Sequence, residues 1–435
     1  MSEKAMQNTV SAGRFTQLLA WRQYLLLLAV VGLVIALPYI FTSGHSLSLL
    51  SQMGIAIIFA LSYNMLLGQG GMLSFGHAVY YGLGGFITAH VLNMVGDGRL
   101  AIPLELMPLV GGLGALAFAI PLGYINTKRS GVSFAMITLG IGELVAASSL
   151  MFTDFFGGEA GVSTDRMVDV TLLPFDYGPS IQVYYLIVAW MLLSVLAMYL
   201  LTQTPLGKMA NAVRDNWERA QFVGYNPRIV NFIQFSIAGF FAGVAGGLFA
   251  INYEILTADT VGVQQSGLVL LMTFIGGVSY FFGPILGAIL ITYLSISLSN
   301  ITEAWVLYFG LLFVFMVMYA PSGLAGIIMQ HRPVWRAGKM GRLVVPYLVA
   351  AVPALILFFG AAAVIEMAYH RSASYDPSTP MELFLWDSVV ITTVWPWLFA
   401  GLAIVIGGAG LRWAIRRFKA VWDEIHEEIA AGGGA

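Results

Sequence analysis

Gly68-Gln69-Gly70-Gly71-Met72-Leu73-Ser74-Phe75-Gly76-His77 lies between two apolar blocks, one ending Ser62-Tyr63-Asn64-Met65-Leu66-Leu67 and the other beginning Ala78-Val79-Tyr80-Tyr81. Glycine is too frequent here for a continuous helix, since each one in a helix interior costs about 1 kcal/mol relative to alanine. The stretch is also too apolar for an exposed loop. Broken backbone at membrane depth is tolerated only where protein or a water-filled cavity satisfies its N–H and C=O groups. The segment therefore reads as part of a solute pathway, with a tight cytoplasmic turn between two ordinary spans as the simpler alternative.

The chain around it supports a membrane setting. Of 435 residues, 59% are hydrophobic and 10% charged, with mean hydropathy +0.83, whereas soluble domains carry about 25% charged residues. So few charges cannot build a water-facing surface. The apolar residues fall into blocks of about twenty, the length that crosses a hydrocarbon core. Spans are expected near residues 22–41, 47–67, 76–96, 104–125, 131–152, 182–202, 229–251, 263–282, 284–300, 304–320, 343–369 and 387–411. Long apolar runs favour helices over barrel strands, which alternate over about ten residues. The fold class is all-α, a polytopic transmembrane helical bundle. A net charge of −2 makes no electrostatic case for nucleic acid, and zero cysteines exclude disulfides and thiolate metal sites. The N-terminal stretch has no early apolar core followed by a small-residue cleavage site, so no removable signal peptide is expected.

Charge placement gives the orientation, because Lys and Arg in short loops stay on the cytoplasmic side. Alternate segments hold Lys4 and Arg14, then Lys128 and Arg129, then Lys208, Arg214, Arg219 and Arg228, then Arg332, Arg336, Lys339 and Arg342, and finally Arg412, Arg416, Arg417 and Lys419. The opposite loops hold Asp154, Glu159, Asp165, Asp169, Asp176, Glu254, Asp259, Glu303, Asp376 and Glu382. Both termini are expected in the cytoplasm.

Gly239, Gly243 and Gly247, and likewise Gly283 and Gly287, recur four apart and mark close helix contacts. A second glycine break, Gly276-Gly277-Val278-Ser279-Tyr280-Phe281-Phe282-Gly283-Pro284, comes late in the chain. Paired breaks in two halves are the signature of an internally repeated transporter, although direct self-similarity is weak. Glu143 sits mid-span and is expected to face the bundle interior, lining the path or accepting hydrogen bonds at a helix contact. His77 and His90 read as interior hydrogen-bonding groups rather than metal ligands, since no carboxylate or thiolate cluster accompanies them. In the long connection after the 182–202 span, Asp215 and Arg219 are spaced to pair on a short helix ending at Gly224. Such a helix can receive a soluble partner; a plain solvated loop is the alternative.

At these residues the chain resembles the LivM-type permease subunits of branched-chain amino-acid ABC importers, across roughly residues 45–330. Leu67-Gly68-x-x-Gly71-x-x-Ser74-x-Gly76-His77-Ala78 is similar to the family's first signature, Thr138-Leu139-x-x-Gly142-Glu143 to its second, and Gly157-Gly158-x-x-Gly161 to the glycine motif that follows. Glu218-Arg219-Ala220-x-x-x-Gly224 resembles the EAA loop by which such permeases dock on their ATPase. Gly276-Gly277, Gly283-Pro284-x-x-Gly287-Ala288 and Ala320-Pro321-x-Gly323-Leu324 complete the match. The order and spacing together carry the resemblance.

The resemblance implies a heteromeric importer of the bacterial inner membrane: a paralogous permease subunit, two cytoplasmic ATP-binding subunits that hold ATP and Mg, and an extracytoplasmic substrate-binding protein. The chain itself contains no G-x-x-x-x-G-K-[ST] phosphate loop, so it is read as a transport subunit, neither an enzyme nor a cofactor carrier. The pathway is assigned to Gly68, Gln69, Gly71, Ser74, Gly76, His77, Phe134, Thr138, Glu143, Gly276, Gly277, Gly283 and Pro284. ATPase coupling is assigned to Arg214, Asp215, Glu218, Arg219, Ala220 and Gly224. The organisation is a cytoplasmic segment (1–21), a permease core of about ten spans (22–330), an extension with two further spans (331–411), and a cytoplasmic tail (412–435). In the tail Ile415, Phe418, Trp422, Ile425 and Ile429 form an apolar stripe, either for a partner or membrane or for packing on its own subunit. Many relatives place an arginine three positions after the matched glutamate, where this chain has Ala146. The rival reading is an ion-gradient-driven transporter using Glu143; within the family, urea, short amides and aromatic acids are alternative solutes.

Overall fold

A computed structural model describes residues 28–373, 381–383 and 386–432. The expected 1–21 segment with Lys4 and Arg14, and Asp376, lie outside these residues. The chain forms two compact units, residues 1–293 and 294–435.

In the first unit a short helix α1 (Leu28–Ile40) precedes α2 (Gly44–Asn64), which starts where the Ser43 hydroxyl caps the backbone N–H of Ser46 at 3.2 Å. α2 runs on into a π turn (Met65–Gln69) and stops at the glycines. Then follow α3 (Ala78–Gly96), α4 (Met107–Asn126), α5 (Val132–Met151), the single turn α6 (Thr153–Phe156), α7 (Ser180–Gln203), α8 (Pro205–Asp215), α9 (Trp217–Phe222), α10 (Pro227–Tyr253), α11 (Val263–Gly276) and α12 (Gly283–Ser299). Among the described residues eight helices are long and apolar enough to cross a membrane, or nine if the bent pair Trp305–Tyr319 and Gly323–Arg336 counts as one span. The chain is thus a polytopic helical membrane protein. The expected continuous spans at 263–282 and 284–300 are instead 14- and 17-residue helices. At about 1.5 Å per residue these fall short of the roughly 30 Å hydrocarbon core, because the glycine turn ends α11 at Gly276 rather than beyond it.

α2, α3 and α10 form the centre, each with 67–72% of its apolar window buried, while α4, α5 and α7 have 28–39% and turn much of their surface outward. Small residues set the spacing. A side chain at Gly239 or Gly243 on α10 would run into Ala119 or Ala115 of α4, and one at Gly246 into the Tyr81 carbonyl of α3. Close backbone approach of this kind drives helix association where lipid offers no hydrophobic contrast.

At one end of this unit the loop 157–179 is fastened down. Gly157, Gly158 and Gly161 all take positive φ, which lets Val162–Ser163 pair antiparallel with Ile255–Leu256. Arg166 donates from Nε to the Tyr177 carbonyl (2.9 Å) and from Nη2 to the Gly178 carbonyl (3.0 Å), and its backbone N–H reaches the Glu254 carboxylate at 3.0 Å. The Glu105 carboxylate accepts from the backbone N–H groups of Leu172 (2.9 Å) and Leu173 (3.0 Å) and from the Tyr177 hydroxyl (2.9 Å). Burial, and then that carboxylate, push the Tyr177 phenol well up from its usual value.

The second unit contains α13 (Trp305–Tyr319), α14 (Gly323–Arg336), α15 (Gly341–Ala373), a small hairpin (Met381–Leu383 with Trp386–Val389) and α16 (Val394–Gly432). α16 begins at Val394, later than the expected 387, because Trp386–Val389 is committed to the hairpin. It then continues unbroken into the tail. Of the tail stripe, Phe418, Trp422, Ile425 and Ile429 pack on Val334 and Leu343 of their own unit, whereas Ile415 is exposed.

Candidate functional site

The first break keeps its polar backbone satisfied by side chains from four other helices and from α2 itself. The Tyr63 hydroxyl donates to the Ser74 carbonyl (2.9 Å), and Gln234 of α10 donates to the Met65 carbonyl (2.9 Å). The backbone N–H of Phe75 is accepted by Thr138 of α5 at 3.2 Å, and that of Ala78 by Ser266 of α11 at 3.0 Å. Arg214 of α8 donates from Nη1 to the Gly68 carbonyl, and Asn211, one turn earlier on α8, donates to the Gln69 side chain at 2.7 Å. Gly68 ends a helix whose last carbonyls lack intrahelical partners, and a cation there gains about 0.3–1 kcal/mol from the helix dipole.

His77 is fully buried, stacked on Phe59 with ring centroids 5.6 Å apart. Its Nε2 lies 2.9 Å from the Ser62 hydroxyl, which spends its own proton on the Phe59 carbonyl. Nε2–H is therefore the donor and Nδ1 the bare nitrogen, without a protein partner, as are the Ser74 hydroxyl and the Asn64 Oδ1 in the same segment. His90 is likewise engaged, with Nε2 donating to the Phe155 carbonyl at 2.7 Å.

α5 meets the break through a stripe of Phe134, Thr138 and Gly142, all buried; a side chain at Gly76 would strike the Thr138 carbonyl. Glu143 does not share that stripe. Contrary to expectation, its side chain is exposed on the outer face of α5, because a step of about 100° per residue from buried Gly142 carries it off the packed side. Ala146 lies on the packed side, against the cluster of Val79, Leu83 and Phe86.

The second break meets the first. Gly277 adopts φ +114°, and side chains at Gly276 or Gly283 would collide with the backbone of the opposite arm of the turn. Gly283 and Pro284 are buried at the start of α12. A Cβ on Gly68 would come within 2.7 Å of the Val278 carbonyl, and one on Gly71, at φ +65°, within 2.7 Å of the Arg214 side chain. Both glycine breaks and the connector helix α8 thus converge on one point.

The connector differs from expectation in one respect. α8 ends at Asp215, and Asn216, at φ −157° and ψ 103°, starts α9 with its side chain accepting from the Arg219 N–H at 2.8 Å. Asp215 and Arg219 therefore sit on separate helices, and Asp215 pairs instead with Arg214 at 2.9 Å. Ala220 is buried with Ala210, Val213 and Val230, Glu218 and Arg219 are exposed, and Gly224 closes the segment at φ +94°. Phe222 is 90% exposed; one apolar residue in a polar loop carries no periodic signal in the sequence. For Asn211 and Gln234 the sequence offers only an amide side chain beside or within an apolar block. Basic residues from the α4–α5 loop and the first turn of α10 converge at an open cavity of about 700 Å³ lined by Tyr124, Lys128, Arg129 and Arg228 among others, with Lys128 4.3 Å above the Tyr124 ring.

Comparison with known proteins agrees with this architecture. The chain is 29% identical over 324 residues to the high-affinity branched-chain amino acid transport system permease protein LivM of Escherichia coli strain K12, covering 70% of this chain and 75% of that one. It is 27% identical to a probable branched-chain amino acid transport permease protein LivM of Methanocaldococcus jannaschii, covering 62% and 90%. To the ribose import permease protein RbsC of Haemophilus influenzae it is 23% identical, covering 66% and 87%. No solved structure matches it. Residues 45–321, which contain both breaks and the connector between them, match the family described as branched-chain amino acid transport system / permease component, and the chain belongs to that family.

Proposed function

We propose that this chain is the permease subunit of an ATP-driven importer for branched-chain or related amino acids, forming half of the translocation pathway beside a paralogous permease. Two cytoplasmic ATP-binding subunits supply the energy, with ATP and Mg held by them, and an extracytoplasmic binding protein delivers the solute. The observation that carries this reading is the contact of the first glycine break with both the second break, at Val278, and α8, the helix that precedes the exposed Glu218, Arg219 and Phe222. Movement of a soluble partner on that surface has a short, hydrogen-bonded path to the broken spans. The substrate class follows the two LivM relatives. We read both termini as cytoplasmic, a reading supported by the gathering of Lys128, Arg129 and Arg228 around one cavity. Exposed Glu143 lies on a face open to the paralogous permease rather than inside this chain.

The test is purification of the chain with its native partners, followed by leucine uptake and ATP hydrolysis in proteoliposomes. Uptake should require ATP and ignore ionophores, and substituting Glu218 and Gly224 should release the ATPase. Uptake that follows a proton or sodium gradient without ATP would end this reading in favour of ion coupling.

A further inference from the structure

The geometry points to Arg214 and Asn211 as positioning residues that fix α8 to the Gly68–Gln69 turn, so that the inner end of α2 and the connector move as one body. This rests on the ATP-driven reading above. Several observations carry it. The Arg214 stem is seated on Gly71, whose φ of +65° and missing side chain leave room for it, with a Cβ at Gly71 falling 3.4 Å from the Arg214 Cβ. The guanidinium is held between the Asp215 carboxylate (2.9 Å) and the Gly68 carbonyl. Asn211 makes a second bond, to Gln69 at 2.7 Å, from the same face of α8. Two anchors one turn apart prevent α8 from pivoting on either. The adjoining face of α8 buries Ala210 and Val213 against Ala220 and Val230, so a push on α9 has no loose joint before the break. Gly68 lies against the Val278 carbonyl, which extends the same rigid contact to the second break. A π turn at Met65–Gln69 is the kind of local helix defect found at functional sites.

The experiment uses the assembled transporter in proteoliposomes and reads leucine taken up per ATP hydrolysed. The double variant R214M/N211A should lower that ratio at least tenfold, and R214K, which keeps a cationic donor for the Gly68 carbonyl, should recover most of it. The chain has no native cysteine, so with partner subunits made cysteine-free the pair G71C/R214C can bond only to each other, at a spacing close to that of natural disulfides. Reduced, this pair should be uncoupled; oxidised, the covalent link should restore uptake. An unchanged ratio in R214M/N211A overturns the inference, as does an oxidised pair that blocks uptake, since the two elements would then have to part in each cycle. A pair that does not oxidise contradicts the seating of Arg214 on Gly71. A parent complex that imports leucine without hydrolysing ATP sinks the ATP-driven reading instead, before any variant is compared.

Discussion

The first unit and the second bury their helices in opposite ways. Around the breaks, α2, α3 and α10 have 67–72% of their apolar windows covered by protein; in the second unit α15 and α16 have 11% and 17%. The first unit interrupts its helices and fills the gaps with Tyr63, Gln234, Thr138, Ser266 and Arg214 bonded to backbone. The second keeps α16 continuous for 39 residues, about 58 Å at 1.5 Å per residue, nearly twice the hydrocarbon thickness. Polar groups that join its helices include side chains bonded to one another: Tyr308 with Glu366 at 2.8 Å, and Lys339 and Arg342 with Glu428 at 2.6 and 2.8 Å. Broken backbone needs many fixed partners and therefore a tight surround, whereas an intact helix satisfies itself and can face lipid.

That contrast can be broken most severely at glycine. Gly246→Val drives a side chain into the Tyr81 carbonyl, an overpacking with no flexible neighbour to yield, and should cost about 3 kcal/mol or more, seen as loss of folded protein in detergent. Gly408→Leu on α16, where a Cβ meets nothing within 4 Å, should stay within about 0.5 kcal/mol on the same thermal scale. Next comes one of the buried apolar clusters of the second unit. Ile425→Ala removes a fully buried tail residue and should cost about 2–5 kcal/mol, read as faster proteolytic release of the tail. Unchanged cleavage would mean that the stripe serves a partner rather than its own unit.

Tyr63→Phe leaves the Ser74 carbonyl without its donor and should lower stability by about 1–3 kcal/mol, with leucine uptake falling further than the thermal midpoint alone accounts for. Equal losses in both would make the bond structural only. The smallest effect is expected from Glu428→Gln, which weakens an exposed ion-pair network. A slight drop in midpoint at low salt should vanish at high salt.

Fold class was legible because lipid imposes a simple rule: blocks of about twenty apolar residues separated by charged loops can hardly mean anything else. The glycine runs were equally plain, and so was the end of the connector at Gly224, where φ is +94°. Individual packing was less so. Asp215 and Arg219 have the spacing of a helical pair, yet the Asn216 cap divides them; a side-chain cap competes with helix continuation at a level that spacing does not reveal. Glu143 was expected inside because charge in lipid is expensive, but that argument says only that it avoids lipid, and one chain of an assembly has other surfaces to offer.

From sequence alone came the membrane setting, the broken spans and the family likeness, each written in local composition and order. Only the folded chain decided which groups meet: Gly68 with Val278, Gly71 with Arg214, Gln69 with Asn211. Those pairs lie 142 to 210 positions apart in sequence, and their contact depends on helix rotation and close glycine packing, which no short window of residues encodes.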